Sequence, residues 1–288
     1  MRQFDGMNIR LFTVWNWLGA VALTVWLMAP NPLNAQTVQM DRLWTALRMD
    51  ETIDIIREEG MDHAIGAALD LTGRPADEGW RNQVASIYDP QQMSRQVREG
   101  MSLALADRDI SKVLGYYESK IGQKVIDLEI SARRSYLSPG IDEMAREIWD
   151  WGAKDSPHAE LIRRYVEDAD LIERNVAGAL NSNLAFLQAF SDETPEEEFR
   201  MDEQMILNEV LKEEAQLRLD TTEWLYGYLS MAYAPLSVAE LQELVEISVS
   251  PQGQLLNSVL FKGFDPMFIE VARALGHAAG RTQWQLDL

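Results

Sequence analysis

The 288-residue sequence contains no cysteine. That excludes disulfide staples, thiolate zinc sites, a cysteine nucleophile and a lipidated cysteine, so stability must come from packing. Histidine is scarce too. His63, His158 and His277 lie far apart, and none forms a His-x-x-x-His or His-Glu-x-x-His pair of the kind that holds catalytic zinc. There is no Gly-x-Ser-x-Gly elbow, phosphate-binding glycine loop, dinucleotide fingerprint or Ca²⁺ loop. Positive charge is in short supply, with 26 Lys plus Arg against 46 Asp plus Glu and a net charge of −20. Such a chain repels phosphate backbones, and no basic cluster offsets this, so nucleic acid is not an expected partner. No metal or cofactor is implied.

Long hydrophobic runs are also missing, with one exception. Leu11 to Met28 is almost wholly apolar, with Arg2 and Arg10 before it and Pro30 and Pro32 after it. Leu33-Asn34-Ala35 then puts a small residue before a polar start at Gln36. This three-part pattern reads as a secretory signal over residues 1–35, cleaved after Ala35, which delivers the rest to the periplasm. Met7 is an alternative start giving a more usual signal length. The alternative is an uncleaved inner-membrane anchor, since about 18 apolar residues is the lower edge of a bilayer span. Both readings place the remaining chain outside the cytoplasm, and any membrane contact would be through this segment alone. The two prolines are expected to end any helix there.

Beyond residue 35, hydrophobic content is ample for a core; it is 47% over the whole chain. No stretch alternates apolar and polar residues long enough to demand a sheet. Six prolines follow Asp, Ser or Thr, at Asp89-Pro90, Ser138-Pro139, Ser156-Pro157, Thr194-Pro195, Ser250-Pro251 and Asp265-Pro266. Each dipeptide predicts a helix start, because the side chain can cap free backbone N–H groups and proline at the next position has no N–H to lose. Ser237 with Glu240, and Thr194 with Glu197, have capping-box spacing. Glu196, Glu197 and Glu198 then read as an acidic first turn facing the helix dipole. The fold class is all-α, a helical bundle.

The bundle is expected to be built from two similar units, 36–155 and 156–288, joined near Asp155-Ser156-Pro157. Ile110, Val113, Ser119, Gly122 and Gln123 recur as Leu241, Leu244, Ser250, Gly253 and Gln254. Pro139 and Glu143-Met144-Ala145-Arg146 recur as Pro266 and Glu270-Val271-Ala272-Arg273, with the register shifted by four residues. Four residues make about one helical turn, so one helix is expected to be a turn shorter in the second copy. Whether the units share one bundle or form two domains is left open by the sequence. In the Ser-x-x-Gly-Gln junction the serine caps a new helix, and glycine within the first turn costs helix propensity. Close approach of another backbone is the preferred account of that glycine, with a ligand contact as the alternative.

These junctions, each between an apolar helix and a second amphipathic helix, resemble an exported bacterial family described only as domain of unknown function 2059. The resemblance covers Ile110–Ile148 and Leu241–Leu275, with Lys120 standing where the pattern usually has proline. It implies a helical fold and export, and transfers no catalytic residue.

No catalytic residue is assigned. The candidate sites are the junction residues Ser119, Gly122, Gln123, Ser250, Gly253 and Gln254, and the repeated polar pairs Glu143 with Arg146 and Glu270 with Arg273. Each pair, three apart on a helix, can bridge on one face. Trp149 and Trp151 cannot share a helix face; exposure of one would point to a partner or an apolar ligand, although core packing is the commoner use. The expected role is a non-enzymatic structural or interaction protein with an envelope partner. The alternative is a carrier of a small apolar or amphiphilic ligand in a groove between the units. A third reading, an enzyme of unrecognised type, would need convergent polar groups in such a cleft.

Overall fold

A computed structural model describes residues 32–152, 154–195 and 200–284. Every regular element among them is an α-helix. In chain order these are α1 (Pro32–Ala46), α2 (Met49–Gly66), α3 (Ala68–Thr72), α4 (Glu78–Ile87), α5 (Pro90–Leu105) and α6 (Ser111–Tyr117). Then follow α7 (Lys120–Tyr136), α8 (Ile141–Trp151), α9 (Pro157–Asp168) and α10 (Leu171–Asp192). The series ends with α11 (Glu203–Lys212), α12 (Glu214–Tyr233), α13 (Val238–Ser248) and α14 (Pro251–Trp284). The all-α bundle read from the sequence is the fold.

Side-chain capping accounts for half of the described helix starts. Asp89, Ser119, Ser156, Ser237 and Ser250 each accept a hydrogen bond from a backbone N–H of the helix they precede. Ser237 and Glu240 form the full reciprocal capping box. The periodic apolar residues Val113, Tyr116, Tyr117, Leu241, Leu244 and Val245 are all buried.

Two proline dipeptides, Ser138-Pro139 and Asp265-Pro266, depart from expectation, and a third, Thr194-Pro195, leads into residues outside the described ones. Ser138 and Pro139 lie in the turn after α7, and α8 starts two residues later behind Gly140, whose φ of 82° suits glycine. After Pro195 the next described helix is α11, capped by Asp202. The remainder of the Thr194–Glu197 box, and Glu196 to Glu198, fall outside the described residues. Asp265-Pro266 starts no helix, since Pro266 lies inside α14. Its ring is exposed while Phe264, Met267 and Phe268 beside it are buried, so apolar burial on both sides carries the helix through. Pro266 has no N–H for the carbonyl of Lys262 four residues back. α14 runs unbroken from Pro251 to Trp284, where a helix shorter by one turn was expected. The four-residue register shift matches the non-helical turn 137–140, which interrupts α7–α8 and has no break opposite it in α14.

Pro32 is the first residue of α1, and Leu33 to Ala35 lie inside that helix. The rest of the signal reading, residues 1–31, falls outside the described residues. Among the described residues, no helix is long and apolar enough to cross a membrane.

The core is organised around α14, which runs parallel to α10. Gly178 faces Asp265, and the carbonyls of Phe186 and Phe190 face Gly276 and Gly280. The same helix runs antiparallel to α5, where Gly100 lies on Lys262 and Gly263. An ideal Cβ on Gly100 would sit 2.6 Å from that Lys262 oxygen, so only glycine lets α5 pass so close. One apolar cluster, from Met40 to Ala279, includes buried residues on both sides of Ser156.

Candidate functional site

The two Ser-x-x-Gly-Gln junctions have the same local geometry. The N–H of Gly122 donates to Ser119 Oγ at 3.1 Å, and that of Gly253 to Ser250 Oγ at 3.2 Å. An ideal Cβ on Gly122 would lie 2.7 Å from the carbonyl carbon of Tyr116 and nearer still to its oxygen. On Gly253 it would lie 2.6 Å from the carbonyl carbon of Ser248. Each glycine thus lets a new helix leave the last turn of the old one at close quarters. The glutamines reach farther. Gln123 Nε2 donates to the carbonyl of Ala46, the last residue of α1, at 2.9 Å, and Gln254 Nε2 donates to that of Asp168, the last residue of α9. A helix end leaves carbonyls without partners, and these amides supply them. Neighbouring Gln252 ties α14 to α6, accepting from the N–H groups of Lys112 and Val113. These side chains are engaged by the protein's own backbone.

The polar pairs behave differently from each other. Arg273 pairs with Glu270 at 2.6 Å on the surface of α14. Arg146 turns away from Glu143 to Asp142 at 3.4 Å and to Glu223 of α12 at 3.2 Å. The four-residue spacing on one helix and a neighbouring carboxylate together outcompete the three-residue pair.

A buried polar cluster on α7 was not singled out in the sequence. Glu129 and Arg133 are fully buried, on the face shared with Val125, Ile126 and Ile130. Tyr233 donates its hydroxyl to Glu129 Oε1, and Tyr228 donates to the Glu129 backbone carbonyl at 3.0 Å. Burial pushes the Glu129 carboxyl well above the usual range, against the pull of the Tyr233 hydrogen bond. Burial likewise raises the hydroxyls of Tyr117, Tyr228 and Tyr233. Arg133 Nη2 pairs with Glu59 of α2 at 2.6 Å. Glu129 Oε2, the Tyr117 hydroxyl, and Nε and Nη1 of Arg133 have no protein partner among the described residues. The sequence carried one signal of this. Positions 122, 125, 126, 129, 130 and 133 form a helical stripe, and two ionisable residues occupy core positions in it.

Asp265 is a second carboxyl under strain, facing Gly178 from the interior of α14. Burial pushes it up to about 6, while Arg174 pulls it down. The native state then holds this proton more tightly than the unfolded chain does. The residue's contribution to stability therefore falls as pH rises from about 4 to about 6, and stays unfavourable above. Asp265→Asn is expected to raise the urea midpoint at pH 7.5 and leave it near the parent's at pH 3.5. An unchanged midpoint at pH 7.5 would show that the carboxyl is solvated.

The most exposed large apolar side chains of any one helix lie on α8. Met144, Ile148 and Trp151 are 46%, 61% and 88% exposed. At about 3.6 residues per turn the three fall within about 60° of one another, so they make one stripe. The inner face of the same helix is well packed. Ala145 and Arg146 lie against Gly227 of α12, whose ideal Cβ would be 3.0 Å from the Arg146 nitrogen. Trp149 stacks on Tyr226 with ring centres 4.7 Å apart. Of the two tryptophans, Trp149 is therefore packed and Trp151 is in solvent.

His158 meets the Leu236 carbonyl at 2.8 Å, and His277 meets Glu193 at 2.8 Å. Among the described residues no group of three or more His, Asp or Glu is placed to hold a metal ion. In comparisons with protein-family models, curated proteins and solved structures, nothing matches the chain.

Proposed function

We propose that this chain is a non-enzymatic interaction protein of the cell envelope, acting in the periplasm, and that the outer face of α8 is its contact surface. The observation that carries this reading is the solvent-facing row Met144, Ile148 and Trp151 on a helix whose opposite face packs on α12 through Ala145 and Trp149. Exposed apolar side chains are ordinary when scattered singly; three aligned on one helix mark an interaction site. The export signal read in residues 1–35 and the resemblance to an exported helical family support the address. The engagement of the junction residues by backbone supports a structural role for them.

The test is native mass spectrometry of the protein recovered from the periplasm, beside the Ile148→Ser/Trp151→Ser variant. A partner polypeptide retained by the parent and lost from the variant is the expected result. A small apolar molecule retained equally by both would favour the carrier instead. Partners retained equally by both would move the contact away from α8.

A further inference from the structure

We propose that the α8 face receives a basic amphipathic helix of a partner protein, an inference that rests on the reading of α8 as the contact surface. Around the axis of α8 the side chains divide into three sectors at about 3.6 residues per turn. One is the apolar stripe of Met144, Ile148 and Trp151. The second faces α12. The third carries Glu143, Glu147 and Asp150, all exposed, along one edge of the stripe.

The nearby cations are already engaged, Arg163 by the backbone carbonyl of Lys154 at 2.5 Å. Arg146 bridges Asp142 and Glu223. Lys154 pairs with Asp150 at 3.3 Å, with its ammonium 4.2 Å from the centre of the Trp149 ring. Glu143 and Glu147 form no ion pair among the described residues, so the ridge presents uncompensated negative charge to whatever covers the stripe.

The apolar spacing selects the shape of the occupant. Steps of four and then three residues make the seam along which one helix packs on another. Charge selects among the helices that could lie there. A second copy of α8 would bring another acidic ridge to this one, in a molecule of net charge −20. An anionic membrane surface would be repelled in the same way. A partner helix with apolar residues at the same steps and Lys or Arg beside them satisfies both sectors, burying the stripe and neutralising the ridge.

The experiment uses the full chain and three fluorescein-labelled synthetic peptides, followed by anisotropy. One is a Leu/Lys peptide with helical amphipathic spacing. The second is its scramble, with identical composition. The third is a Leu/Glu peptide with the same spacing. Vesicles of phosphatidylglycerol and the light-scattering mass of the free chain are measured beside them.

The amphipathic Leu/Lys peptide is expected to bind at least about tenfold more tightly than its scramble, the return on burying one or two large side chains. Ile148→Ser/Trp151→Ser should remove that preference. Glu143→Gln/Glu147→Gln should weaken binding about fivefold, since rim charges contribute modestly, and should flatten its salt dependence. Asp54→Asn/Glu58→Gln, an exposed pair on α2, should leave it unchanged.

Equal binding of the scramble, or equal weakening by the α2 pair, would reduce the effect to general acidity and overturn the proposal. Tighter binding of the Leu/Glu peptide, vesicle binding lost with Trp151, or a dimer lost with Trp151 would overturn the basic partner while leaving α8 as the contact surface. The contact surface itself fails only if the Ile148→Ser/Trp151→Ser variant keeps every partner that the parent retains from the periplasm.

Discussion

Gly122→Ala and Gly253→Ala will each unfold at lower urea than the parent, although alanine is the better helix former. The propensity gain is at most about 1 kcal/mol. Against it stands a methyl group forced into the carbonyl of the preceding helix. At Gly122 the neighbours are the oxygen and carbon of Tyr116 and the Cα of Tyr117; at Gly253 they are the carbonyls of Ile247 and Ser248. These are backbone atoms, which cannot rotate away as a side-chain tip could. Relief would require α6 to move from α7, or α13 from α14, and Val113, Tyr117, Leu244 and Val245 are buried there. Overpacking of this kind costs about 1–3 kcal/mol or more, and the rigid neighbours place it at the upper end. Gly66→Ala is the control. It lies in the last turn of α2 with open space around its Cβ position, so the propensity gain should emerge as a small rise in midpoint. A raised midpoint with unchanged slope at both junctions would refute the close approach.

The junction glycines were readable from sequence because their cause is local. Ser119 and Ser250 cap within three residues, and glycine in a first helical turn stands out against propensity. Asp89, Ser156 and Ser237 were readable for the same reason. Asp265-Pro266 misled because the local signal for a start is real, and only the packing of α14 between α5 and α10 overrides it. Gly100 and Gly276 announced nothing, since a helix crossing joins residues far apart in the chain. The same holds for Gln123 and Gln254. Their spacing marked them, but the helix ends they cap, at Ala46 and Asp168, lie 77 and 86 residues away. Glu143 and Arg146 illustrate a subtler limit. The spacing allowed a pair, and the choice of Asp142 and Glu223 instead depended on where α12 lies. On α8, periodicity separated Trp149 from Trp151, yet which of the two would be covered was decided by Tyr226.

Breaking the Arg133–Glu59 pair from its two sides should give very unequal results. Arg133 is 1% exposed and Glu59 18%, so the cation is sealed in while the carboxylate reaches water at its rim. Glu59→Met removes the counter-ion and keeps the volume that shields Arg133. A guanidinium stays charged under any condition the fold survives, so it cannot escape by losing a proton. Its Nε and Nη1 already lack protein partners among the described residues, and the third nitrogen would join them. The expected loss is about 3–5 kcal/mol, the cost of an uncompensated buried charge. Arg133→Met leaves a carboxylate that water can reach, beside a long apolar side chain near Tyr228, and should cost about 1 kcal/mol. The double variant should then be close to Arg133→Met alone, because the charge that made Glu59 necessary is gone. Urea denaturation of the four proteins at pH 7 closes the cycle, and the expected coupling is about 3 kcal/mol or more. Additive losses would mean that the two side chains are independently solvated. A double variant more stable than the parent would be consistent with the buried pair, since well-packed apolar replacements often match or exceed an ion pair taken out of water. That outcome would make the pair a device for fixing how α2 and α7 meet, with α12 stacked behind them through Tyr228, rather than a source of stability.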